Sequence, residues 1–282
     1  MILTGGGPAS SAWELGIIAG MAEVGLDVRT ADLLVGTSSG SRVALHLASA
    51  VPHDVAVQQR LRPGPPSTER PAALDWVRLR EDLATARESG GSAAEILRRV
   101  GALALAAAAG KSGASRRQIV APQLPMATWP ERRVLIPTVS AESGERRVFD
   151  RDSGIDVVDA VIATTASFGM PPMLFQGEHY FDGGYYSSDN ADLAIGFDRV
   201  LILSLIRPPG VPFVPVVARE ESVARLRDSG SSVEVILPDD NTAAAFAAAG
   251  GAMNPSISAT AATAGRVQGV GMVNENLLSF WQ

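Results

Sequence analysis

LVGTSSGSRVA, Leu34 to Ala44, passes from an apolar run through a patch of small residues into a helical pattern. Ser38 stands at its centre, with Gly36 and Gly40 two residues away on either side. The preceding DLLVG has the short continuous apolar run of a buried strand, and SRVALHLASA continues as a helix, so the order is strand, sharp turn, helix. An elbow of this kind forces strained backbone angles on its central residue. Side chains two positions to either side would collide, which is why glycine suits positions 36 and 40. Two roles fit Ser38 at this point: a nucleophile held out on the elbow, or one of the serines of a tight βα turn, where Ser38 or Ser39 caps the helix.

Working outward, the same alternation recurs. Met1 to Leu3 reads as a strand that ends in Gly5-Gly6-Gly7, and a helix follows from about Ser10 to Val24, with Leu15, Ile18 and Met21 at apolar spacing and Gly25 as its stop. From Pro52 to Pro130 the character changes to prolines separated by alanine- and arginine-rich helical stretches, which suggests an inserted helical lobe. Beyond it, RVLIPTVSA and RRVFD read as strands, Asp156 to Ala166 as a helix, Pro171-Pro172 as a loop and EHYFDGG as a strand. DRVLILSL, EESVARLRDSG, SVEVILP and DDNTAAAFAAAGGAM then alternate strand and helix in parallel βαβ fashion, and Ser256 to Gln282 reads as a closing helix. The expectation is one α/β domain over residues 1–282 that carries a helical insertion.

Composition narrows the function. The chain has 282 residues, 46% of them apolar, enough for a large core. Its net charge of −6 is mixed along the chain with no basic stripe, so no nucleic-acid partner is expected. Cysteine is absent, which excludes disulfides, a thiolate nucleophile and cysteine metal sites. MILTGGG lacks the basic and apolar segments of a signal peptide, and the apolar tract from Val100 to Gly110 falls short of the ~20 residues that span a bilayer, so a cytoplasmic protein is expected.

A serine hydroxyl is a poor nucleophile near neutral pH and needs a base beside it and donors for the developing oxyanion. The three histidines suit that task poorly. His46 lies two turns along the elbow helix, His53 just beyond it, and His179 three residues before Asp182 and so on the opposite face of an extended strand. Asp182 ends a strand and is followed by Gly183-Gly184, so its carboxylate can project at the sheet's edge and take a proton; an Asp-Gly-Gly turn without chemistry is the alternative. Gly5, Gly6 and Gly7 leave successive amides unobstructed, as an oxyanion site needs, although a plain flexible turn has the same composition. The P-loop lysine and the G-x-G-x-x-G spacing are both missing, which argues against a nucleotide.

LTGGGPASSAWELGIIAGMAEVG, LLVGTSSGSRVA and TTASFGMPPMLFQGEHYFDGGYYSSDNADLA, in this order, resemble the patatin-like phospholipases. The resemblance implies a three-layer α/β/α sandwich with a mainly parallel central sheet and a serine-aspartate dyad that uses no histidine. Carried over, Ser38 is the nucleophile, Asp182 the general base, and the amides of Gly6 and Gly7 in the Gly5-Gly6-Gly7 loop the oxyanion hole. It also implies acyl transfer on phospholipids, lysophospholipids or simpler lipid esters, with no metal or organic cofactor and with peripheral contact at a membrane surface. Departures are visible. The basic residue usual two positions after the third glycine is Ala9 here, the alanine usual after the nucleophile is Ser39, and Asn190 corresponds to a family asparagine that lacks its proline. A non-catalytic or weakly active binder of acyl or anionic ligands is therefore the second expectation. Within the insertion, Ile96, Leu97, Val100, Leu103 and Leu105, flanked by Arg98, Arg99, Lys111, Arg116 and Arg117, form either a lipid-facing lid or a helix packed on the core.

Overall fold

The computed structural model describes residues 1–61, 75–108, 110–167, 169–205 and 215–281. Pro63, Pro65, Pro66 and Pro71 of the insertion lie outside them. Strands β1 (Ile2–Leu3), β2 (Leu33–Gly36), β3 (Arg133–Ser140), β4 (Arg146–Phe149), β5 (Met173–Phe175), β6 (Glu178–Asp182), β7 (Arg199–Leu203) and β8 (Ser232–Ile236) form one sheet in the order β5-β6-β3-β2-β1-β7-β8, with β4 also paired to β3. Every connection among β1, β2, β3, β7 and β8 is parallel, as the alternation of sequence elements predicted. The other end is antiparallel, within a sheet that stays mainly parallel. β4 and β6 both run antiparallel to β3, and the short β5, read from sequence as part of a loop after Pro171-Pro172, is antiparallel to β6.

The long strand β3 makes this possible. Its first half pairs with β2, Leu135 standing across from Val35, and its second half extends past β2 to pair with β6, Thr138 across from Asp182. β6 therefore returns toward the end of β2, and its last residue reaches the level at which the chain leaves β2 for the Ser38 turn. The sheet's register brings the two together.

Helices cover both faces. α1 (Pro8–Glu23) is buried almost all round, with Trp13, Ile17, Ile18 and Met21 inaccessible to solvent. Each such side chain contributes about 1.5–3 kcal/mol on burial. α2 (Gly40–Leu47) and α3 (His53–Leu61) follow the turn. In the insertion, α4 (Trp76–Glu88), α5 (Ala93–Ala108) and the short α6 (Arg117–Val120) pack back toward the sheet before α7 (Val157–Thr164). The C-terminal third adds α8 (Arg219–Asp228), α9 (Asp240–Ala248), α10 (Ser258–Met272) and α11 (Glu275–Trp281). The expected single closing helix is thus two, broken between Met272 and Glu275.

α1 and α10 meet backbone to backbone. A Cβ added to Gly16 would lie 2.2 Å from the Ala262 carbonyl oxygen, and one on Gly265 would lie 2.4 Å from the Trp13 carbonyl oxygen. Gly20 and Gly269 make the same reciprocal approach, so four glycines set how deeply α10 seats on α1.

α5 behaves as a packed helix. Leu97, Val100 and Ala104 join Val139, Phe181 and Tyr185 in one buried cluster, and a Cβ on Gly101 would come within 2.5 Å of the Ala141 Cα. Ile96, Leu103 and Leu105 are half-buried. The cations read as a possible lipid fringe have structural partners: Arg116 is buried and donates to the Ile162 carbonyl, Arg117 pairs with Asp156 and Asp159, and Arg99 donates to the Ala86 carbonyl. Arg98 and Lys111 are exposed. Of the two expectations for this segment, the packing favours the helix laid on the core.

Candidate active site

Ser38 leaves β2 with φ of 50°, one of three non-glycine residues with positive φ among the described residues. Such a conformation costs on the order of 1–3 kcal/mol and persists only where the surroundings hold it. Here they do. The Ser38 N–H donates to Thr164 Oγ1 at 3.0 Å, and that hydroxyl donates to the Pro137 carbonyl at 2.7 Å, which fixes the elbow to the end of α7 and to β3. On the other side, the Ser41 N–H and hydroxyl both donate to the Ser38 carbonyl. The glycines flanking the turn are demanded by contact. A Cβ on Gly36 would stand 2.5 Å from the Ser41 Cα, and one on Gly40 would stand 2.4 Å from the Leu3 carbonyl oxygen.

Two further loops converge on this turn. The glycine loop lies against it: a Cβ on Gly5 would meet the Ser38 Cβ at 2.9 Å and Oγ at 3.6 Å. Gly6 and Gly7 have φ of 151° and 93°, a region closed to ordinary side chains, and the Gly7 N–H donates to Ser39 Oγ at 3.0 Å. The Gly5 and Gly6 N–H groups donate to no other described residue. Leu205 packs where a Gly6 side chain would be, and Met253, 64% exposed, covers Gly7. The Ala9 N–H, donating to the Ala252 carbonyl, ties the Met253 loop to the start of α1.

The third loop carries Asp182. Its side chain is buried, and Oδ1 accepts from the Gly184 N–H at 2.8 Å, which caps the turn from Gly183 to Tyr185. Gly183 must be glycine because a Cβ there would lie 2.3 Å from the Pro137 carbonyl oxygen, while the Cβ position of Gly184 is 3.8 Å from Thr37 Cγ2. The Asp182 loop and the elbow therefore approach each other through Gly184 and Thr37. Asn190, in the left-handed conformation at φ 47° and ψ 36°, bridges them: Nδ2 donates to Thr37 Oγ1 at 3.1 Å, to the Gly183 carbonyl at 3.3 Å and to the Ser187 carbonyl at 2.7 Å.

The histidines lie in other contacts. His46 and His53 pack ring against ring, with centroids 5.6 Å apart, and His53 Nε2 bonds the Leu15 carbonyl. Burial pushes the His53 pKa down, partly opposed by that carbonyl. His179 bonds Glu142 through Nδ1 at 2.7 Å on the half-exposed surface of β6. Among the described residues, no three histidine, aspartate or glutamate side chains are gathered as metal ligands. Nor is any described helix long and apolar enough to cross a membrane. Cavities of about 340 Å³ beside Arg219 and Arg227 and about 310 Å³ beside Asp32 and Asp198 are lined by neither Ser38 nor Asp182.

Under the glycine loop lies a group that the sequence reading passed over. Glu14 on α1 is fully buried and accepts from the Thr4 N–H at 2.8 Å through Oε1. Burial raises its carboxyl well above the usual carboxylate range, and the charge of Asp189 adds to the rise. The carboxyl props the residue that leads into Gly5. Thr164 was missed as well, and no signal short of the fold picks it from the other threonines.

A family model described as Patatin-like phospholipase matches residues 1–195, a span that contains all three loops. No curated protein matches the chain. Among solved structures, the crystal structure of the type III effector protein ExoU is similar at 14% identity and a TM-score of 0.39, covering 95% of this chain and 51% of that one. The chain spans about half the length of that neighbour.

Proposed function

Because the chain belongs to the patatin-like phospholipase family, whose members are lipid hydrolases, we propose that it is a serine acyl hydrolase in which Ser38 and Asp182 form the catalytic dyad. The observation that carries this is the strained Ser38, held at φ 50° by Thr164 and set against the glycine loop, with its neighbour Thr37 in contact with the Asp182 loop. Proteins keep a serine in that conformation where exposure of its hydroxyl matters.

In the reaction, Ser38 Oγ attacks the carbonyl carbon of a fatty-acyl ester while its proton passes to the Asp182 carboxylate. The tetrahedral oxyanion accepts from amides of the glycine loop. Gly5 and Gly6 supply the open N–H groups, since the Gly7 N–H is held by Ser39. Collapse expels the alcohol, which takes the proton from Asp182 and leaves an acyl-Ser38 ester. A water deprotonated by Asp182 then releases the fatty acid and restores the serine. No metal or organic cofactor enters any step. The substrates are phospholipids, lysophospholipids or simpler lipid esters, met at a membrane surface by a single domain of residues 1–282 that carries the insertion of about 52 to 130, in a protein that works in the cytoplasm.

Covalent labelling by a fluorophosphonate, located by mass spectrometry, tests this. The expected adduct is on Ser38, is absent in Ser38→Ala and is slowed at least 100-fold in Asp182→Asn. A folded protein that takes no label supports instead a silent member that binds acyl or anionic ligands, as the missing basic residue of the glycine loop would allow.

A further inference from the structure

We infer that Arg146 on β4 is a positioning residue for the dyad, acting through Asn190; the inference rests on the hydrolase proposal above. Arg146 holds Asp192 in a two-pronged ion pair, with Nη1 to Oδ1 at 2.7 Å and Nη2 to Oδ2 at 2.6 Å, and only 17% and 13% of the two side chains are exposed. Its guanidinium also lies over the Tyr186 ring, 4.4 Å from the centroid, so its plane is fixed. From that anchored position Nη1 donates a third bond to Asn190 Oδ1, at 3.3 Å.

That bond holds the Asn190 amide in the orientation that two backbone carbonyls also require. Asn190 is fully buried, and either orientation places an oxygen or a nitrogen against each neighbour. The Gly183 and Ser187 carbonyls can only accept, so they need the NH2 group; a guanidinium can only donate, so it needs the oxygen. Arg146, bonded to the oxygen end, thereby helps to hold Nδ2 on Gly183, the neighbour of Asp182, and on Thr37, the neighbour of Ser38. One side-chain amide sets the spacing between the two halves of the dyad, and an arginine from the β3–β4 hairpin helps to hold the amide. Dyad chemistry depends steeply on that spacing, since a misplacement near 1 Å costs about 100-fold.

The test replaces Arg146 by lysine, which keeps a charge for Asp192 but loses the fork that reaches Asn190. In Arg146→Lys the rate constant of fluorophosphonate labelling at Ser38 and the kcat for a p-nitrophenyl acyl ester should fall about 10-fold or more, while KM stays within about twofold. In an Asn190→Ala background the same replacement should change neither, because the intermediary is gone. Should the lysine variant fail to fold, Arg146→Met with Asp192→Met removes both charges together and is measured in the same way. Wild-type labelling in the folded Arg146→Lys protein, or effects of the two substitutions that simply multiply, overturns the positioning role. A folded wild-type protein that takes no label overturns the hydrolase proposal itself, and with it this role.

Discussion

Replacing Thr164 by valine should cost this protein both stability and reactivity, because one hydroxyl serves two partners. Thr164 is fully buried; its oxygen accepts from the Ser38 N–H at 3.0 Å and its proton goes to the buried Pro137 carbonyl at 2.7 Å. Valine has the same shape but makes neither bond, so a carbonyl and an amide lose their partner at once. Each orphaned group costs about 1–3 kcal/mol, which gives roughly 2–4 kcal/mol for the pair once partial solvation of the Ser38 amide is allowed for. For a chain of this length that is a fall in Tm of about 5–10 °C. The amide also restrains Ser38 at φ 50°, so its loss lets the elbow relax toward negative φ and moves Oγ off line. Labelling by a fluorophosphonate should slow by about 10- to 100-fold. Thr164→Ser keeps the hydroxyl and should recover most of both quantities. Thermal unfolding and labelling rates measured on the same preparations decide the matter. A Thr164→Val protein with the wild-type Tm and labelling rate would show that the Ser38 elbow does not depend on this anchor.

Two further expectations concern the frame around the site. Glu14 has its pKa raised by burial above the 4.5 of an exposed glutamate, so the folded state keeps a proton that the unfolded chain releases. Stability is therefore present in full below about pH 4.5 and is lost as pH rises toward the folded pKa, by up to about 1.4 kcal/mol per unit. Glu14→Gln, which keeps an oxygen for the Thr4 N–H, should flatten that decline when urea midpoints at pH 5 and pH 8 are compared; equal slopes for the two proteins would refute the assignment. Gly16→Ala pushes a methyl group to within 2.2 Å of the Ala262 carbonyl oxygen and should destabilise by about 1–3 kcal/mol. Gly271→Ala, also helical but meeting nothing within 4 Å, should be neutral or stabilising, and matching Tm changes for the two would contradict the close α1–α10 packing.

Much of the fold was legible because it is written locally. Short apolar runs gave β2, β7 and β8, the spacing of Leu15, Ile18 and Met21 gave α1, and Gly25 stopped it where its φ of 92° requires glycine. Boundaries moved by a few residues, as at α9, which ends at Ala248 ahead of two glycines with positive φ. The antiparallel half of the sheet was not legible: nothing within EHYFDGG states the direction of the strand it will join. The same limit applies to the insertion, whose arginines look alike in sequence whether they face lipid or, like Arg116, reach a buried carbonyl.

By itself the sequence determined the residue types of the candidate site and the turns that carry them: a serine between spaced glycines, an aspartate before two glycines, and a triple-glycine loop. These are short-range properties, since a positive φ or the lack of a Cβ belongs to one residue and its immediate neighbours. Only the tertiary structure decided how the three turns meet. β3 spans from β2 to an antiparallel β6, Thr164 and Asn190 reach the elbow from elements far away in sequence, and Arg146 reaches Asn190 from β4. A hydrogen bond between residues 126 positions apart leaves no mark on either local sequence, because the geometry that creates it exists only once the sheet has assembled.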